Sequence, residues 1–107
     1  MFMSQDKRLH LLYRVEPGCL GPTGIDFVEG FCEFAQKKIK APVYAQFGFV
    51  PRYDKALPER EYTIGNKNLS DTQVIAFLDK FDKEKSDFED QIDELLSHAI
   101  DAYLNRL

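Results

Sequence analysis

The chain has 107 residues, 44% hydrophobic and 30% charged, which fits a single globular domain over 1–107 with little core to spare. A formal net charge of -4 weighs against sequence-independent nucleic-acid binding, which needs surplus Lys and Arg to displace counterions. No apolar run approaches the ~20 residues that cross a bilayer, and Lys7 to Tyr13 is too short and polar for a secretory signal. A cytoplasmic protein without membrane contact is expected, and Cys19 and Cys32 are expected to be reduced thiols.

Met1 to Lys7 lack periodicity and are expected to fray, with Phe2 and Met3 able to tuck against a neighbour. From Leu9 to Glu16, Leu9, Leu11, Tyr13 and Val15 alternate with His10, Leu12, Arg14 and Glu16, the period of a half-buried strand. Pro17 and Gly18 end it. A glycine-rich turn then leads to a helix expected over Ile25–Lys40, where Val28, Cys32, Ala35 and Ile39 recur at helical spacing and Phe27, Phe31 and Phe34 widen the apolar face. Thr23 and Asp26 have the spacing of a capping box, and Lys37, Lys38 and Lys40 suit the negative helix end.

Pro42 to Val50 alternates again, with Val43, Ala45, Phe47 and Phe49 against Tyr44, Gln46, Gly48 and Val50. A polar loop from Pro51 to Glu59 precedes a short strand at Tyr62, Thr63 and Ile64, closed by a turn over Gly65, Asn66, Lys67 and Asn68. Ser70 with Gln73 and Ser86 with Glu89 read as capping boxes for two further helices, carrying Val74, Phe77, Leu78 and Phe81, then Phe88, Ile92, Leu95, Ala99 and Tyr103. The order β-α-β-β-α-α predicts an α+β fold: a small three-stranded sheet with three helices mainly on one face, strands one and two joined by a right-handed crossover. The place of the third strand is left open.

The turn carrying Gly18, Cys19, Gly21, Thr23 and Gly24 is the candidate ligand site, since backbone amides at a helix start can hold an anion. It lacks the ending of a phosphate loop and the spacing of a dinucleotide fingerprint, and Glu16, Asp26 and Glu29 bring negative charge there. Cys19 is the candidate nucleophile, because a helix start favours the thiolate, but His10 or His98 must be brought to it by the fold. Cys19, Cys32, His10 and His98 lack zinc-like spacing, so no metal or cofactor is expected, and Cys32 reads as a small core residue.

Phe47, Gly48, Phe49 and Val50 echo the aromatic strand with which RNA-recognition sheets stack bases, but the preceding Ala45 and Gln46 and the strand order do not fit, so a buried strand is expected. The acidic stretch from Asp79 to Glu94 misses the register of a calcium loop and, interleaved with Lys80, Lys83 and Lys85, reads as a solvated helix junction.

One pattern exceeds the needs of a small core. The last helix adds Leu96, Ile100, Tyr103, Leu104 and Leu107 to its main stripe, and the second sheet face offers Leu12, Tyr44 and Val50. That surplus predicts a homodimer or a protein partner; the alternative is a last helix lying between the first two and burying both stripes. The expected function is a small intracellular, non-enzymatic binding module that self-associates. The other reading is a thiol-dependent enzyme or small-ligand site at the Gly18–Gly24 turn.

Overall fold

Strand β1 (Leu9–Val15) is the middle of the sheet because both its edges are paired, parallel to β2 (Ala45–Pro51) and antiparallel to β3 (Arg60–Ile64). The computed structural model describes residues 7–106; readings placed on residues 1–6 and on Leu107 lie outside the described residues. A parallel pair needs a long crossover, supplied by α1 (Val28–Lys38). The chain continues through β4 (Lys67–Asn68), α2 (Asp71–Asp79) and α3 (Lys85–Leu104), giving an α+β fold with strand order β2-β1-β3-β4.

The sheet therefore has four strands, not three. Gly65 and Asn66 both take positive φ, 56° and 68°, the backbone of a two-residue hairpin turn, so the chain reverses and Lys67 pairs with Ile64. Both residues of β4 are exposed, and no apolar alternation marked them.

The first helix is shorter than its periodicity predicts. Gly24–Asp26 form a single 3-10 turn, and the Thr23 side chain makes no capping bond because its backbone is not in the extended conformation of a helix cap. Gly24 is required there: a β-carbon would sit 1.8 Å from the carbonyl oxygen of Pro17. In α2 the expected capping box is present, with the Gln73 amide donating to Ser70 Oγ at 3.3 Å and the Ser70 amide donating to Gln73 Oε1 at 2.9 Å. In α3 it is absent. Glu84 takes the cap position and Ser86 falls inside the first turn, while the Glu89 carboxylate turns to the sheet.

One face of the sheet carries the core. Leu9, Leu11, Val15, Ala45, Phe47, Phe49 and Tyr62 are buried against Val28, Phe31, Cys32 and Ala35 of α1 and against the inward residues of α2 and α3. Phe31 is fully enclosed, which stabilises the fold by roughly 2–3 kcal/mol.

Two expectations fail at the ends of elements. Tyr44, assigned to the outer sheet face, precedes β2: pairing begins at Leu9 with Ala45, so the alternation does not reach residues 43 and 44. Its ring is 6% exposed and stacks on Phe81 at 4.5 Å, whereas Val43, assigned inward, is exposed. On α3, Leu96 is 5% exposed, Ile100 packs against the core, and Tyr103 meets Phe31 edge-on at 5.6 Å and Phe34 at 5.3 Å. Helix α3 contacts both α1 and α2, so Leu96 is buried and Ile100 and Tyr103 are partly covered from within the chain; Leu104 stays 37% exposed. Among the described residues no helix is long and apolar enough to cross a membrane.

Candidate functional site

The Gly18–Gly24 turn spends its amides on itself. Cys19 donates to Glu16, Gly21 to Gly18, Gly24 to Gly21, Asp26 to Thr23 and Phe27 to Gly24, all to carbonyl oxygens at 3.0–3.2 Å. Five of the donors that an anion would need are thus engaged in two 3-10 turns. The nearby carboxylate is answered as well: Glu16 accepts from Lys55 at 2.9 Å and from Arg52 at 2.6 Å, and these bonds hold its pKa below the usual range.

Cys19 is exposed, but partial burial of its sulfur and the charges of Glu16 and Glu59 push the thiol up, away from the thiolate that attacks. The histidines expected to serve as its base are elsewhere. His10 lies mid-sheet on the face opposite the helices, between Gln46 and Thr63, while the turn of Cys19 packs through Leu20 on the helical side. His98 is exposed on α3. Cys32 is a buried free thiol, pushed up to about 11 by burial and then by Glu29. Phe47 and Phe49 are buried against the helices, which leaves neither ring open for base stacking.

The edge of β2 is guarded by a side chain. The Gln36 carboxamide donates to the Phe47 carbonyl at 2.6 Å and accepts from the Phe49 amide at 3.0 Å, the two bonds a further strand would make. Pro51, at the strand's end, has no amide to offer.

A polar cluster that sequence reading missed joins α3 to the sheet. Arg60 reaches both oxygens of Asp93 at 2.8 and 2.9 Å and lies over the Tyr13 ring, while the Tyr13 hydroxyl donates to Asp93 at 3.3 Å. One helical turn earlier, Glu89 accepts from Tyr62 at 2.7 Å and pairs with Lys85 at 3.1 Å, and Lys85 lies over the Tyr62 ring. Burial, with the neighbouring carboxylates, pushes both tyrosine hydroxyls up, so they act as neutral donors. The only signal in the sequence is that Glu89 and Asp93 are four residues apart on one helix face. Each acid in this cluster faces a cation, the arrangement of a clamp between layers.

The opposite sheet face is the remaining candidate surface. It is built by His10, Leu12 and Arg14 of β1, Gln46, Gly48 and Val50 of β2, and Glu61 and Thr63 of β3. Leu12 fills the space above Gly48, where a β-carbon would meet its Cδ1 at 3.5 Å, and Val50 is 36% exposed. Arg14 pairs with Glu61 at 3.0 Å and donates to the Pro58 carbonyl at 2.7 Å.

These elements define an α+β domain whose mixed sheet has one face packed under helices and the other, among the described residues, covered by no helix. No family model, curated protein or solved structure matches the chain.

Proposed function

We propose that this protein is a non-enzymatic binding module of the cytoplasm that pairs with a second copy of itself through the outward face of its sheet. The observation that carries this reading is Leu12 beside Gly48 and Val50, an apolar centre on a face to which none of the buried helix stripes is directed. Charge supports a second copy as the occupant. The chain has a net charge of -4, yet on this face Arg14 is neutralised by Glu61, so two molecules meet here with little repulsion. Edge-to-edge pairing is disfavoured by Gln36 on β2 and by the shortness of β4, which points to face-to-face contact about a two-fold axis. Two unpaired thiols suit a reducing compartment.

Light scattering across a micromolar to millimolar range tests the reading. The unmodified chain is expected to double its mass, and Leu12→Glu, which sets a carboxylate beside Glu61, or the more exposed Val50→Glu, to restore the single-chain mass with an unchanged circular dichroism spectrum. A single-chain mass throughout for the unmodified protein removes the proposal.

A further inference from the structure

On the helical side of the molecule, remote from the outward sheet face, lies a cavity of about 320 Å³, at the small end of the ~300–1,000 Å³ range of ligand sites. Its walls come from three places: Lys40, Ala41 and Pro42 in the connection after α1, Lys83 at the junction of α2 and α3, and Phe88, Gln91, Ile92 and Leu95 along α3. Tyr44 and Phe47 complete it. Phe47 and Phe88 meet edge to face at 6.1 Å, and Tyr44 lies 6.4 Å from Phe88, so the interior offers aromatic edges and faces in several orientations. Leu95 at its margin is 36% exposed.

The charged groups lining it have one sign. Among the described residues Lys40 and Lys83 line the cavity and no acidic residue does, in a chain with 18 acidic and 14 basic residues. Neither lysine forms an ion pair among the described residues. Asp82 and Glu84 flank Lys83 in sequence but do not line the space. Two grooves differ: that between α1 and β2 includes Glu29 and Glu33, and that beside β3 includes Glu59, Glu61, Asp71 and Glu89. The adjoining groove with Arg8 and Gln46 shares Lys40 and carries only basic charge among the described residues, but lacks the aromatic walls of Tyr44 and Phe88.

We infer that this cavity binds a small aromatic monocarboxylate, its ring held among Tyr44, Phe47, Phe88 and Leu95 and its carboxylate between the ammonium groups of Lys40 and Lys83. The size admits one ring with a short acid arm. A carboxylate suits the rim better than a phosphate, because two single ammonium groups offer neither the guanidinium fork nor the amide nest that phosphate dianions use. The ring covers Leu95, which the chain alone leaves partly in water.

Titration of the full-length, isotope-labelled protein with phenylacetate and with its neutral analogue phenylacetamide, followed by amide resonances, tests the assignment. Phenylacetate is expected to shift Phe47, Phe88, Gln91 and Leu95, and the amide to bind about tenfold more weakly. Lys40→Gln with Lys83→Gln should weaken the acid about tenfold, leave the amide's affinity in place and keep the thermal midpoint, since neither side chain has an ion pair to lose among the described residues. Val50→Glu should leave the response intact, which separates this site from self-association. Equal binding of acid and amide, shifts centred elsewhere, or no shifts at all would overturn the proposal.

Discussion

The hydroxyl of Tyr103 lies against Gly30, so close that a β-carbon on residue 30 would sit 2.5 Å from it. The glycine in the middle of α1 thus makes the notch into which an aromatic of α3 closes over Phe31 and Phe34. That notch draws the far end of α3 against the core and leaves Tyr103 partly buried.

The contact predicts a reversal of sign. Gly30→Ala alone should cost about 1 kcal/mol or more, because the overpacked hydroxyl outweighs the gain in helix propensity. With Tyr103→Phe in place the nearest ring atom is 3.6 Å from the new β-carbon, an ordinary contact, and the same alanine should then stabilise by about 0.5–1 kcal/mol. Denaturant midpoints of the four proteins decide it; additive effects would refute the notch.

Gln36 supplies the second prediction. Replacing it with alanine removes the donor to Phe47 and the acceptor from Phe49, at a cost of about 1–3 kcal/mol. Hydrogen exchange at the Phe49 amide should accelerate beyond the change in global stability, and the opened β2 edge should raise the rate of aggregation on heating. An unchanged Phe49 amide would mean that the side chain does not hold the edge.

The third prediction concerns alkaline pH. Cys32 has its pKa raised from 9.0 to about 11 by burial and by Glu29, so the folded state favours the neutral thiol. Its contribution to stability is therefore complete below pH 9 and is lost as pH rises through about 11. Tyr13 and Tyr62, also raised from 10.0, add losses above that value. Urea denaturation at stepped pH should show the stability gap between the native protein and Cys32→Ala narrowing from pH 9 upward. A gap that stays constant to pH 11 would contradict the assignment.

Much of this architecture was legible. The alternation at Leu9, Leu11 and Val15 and at Ala45, Phe47 and Phe49 marked the buried face, and the spacing of Val28, Cys32, Ala35 and Ile39 marked α1. The Ser70 cap could be read because it is closed by residues three apart. Strand β4 could not, since two exposed residues carry no alternation and their pairing depends on two positive φ angles. Tyr44 was misplaced because the first paired residue of β2 is set by register with β1, not by the local pattern.

The candidate sites divide in the same way. A tight turn at Gly18–Gly24 was visible in its glycines, but whether its amides faced a ligand or its own carbonyls depended on the 3-10 geometry. The clamp of Tyr13, Arg60 and Asp93 and the cavity between Lys40 and Lys83 are assembled from segments distant in sequence, and no spacing announces them.

From the order of residues alone came the kinds of element and the side each turns inward, because period two and period 3.6 are properties of a single strand or helix. Only the folded chain decided whether the second stripe of α3 was skin or interior. That outcome depended on a notch at Gly30 in another helix, and burial is a relation between surfaces that neither segment records by itself.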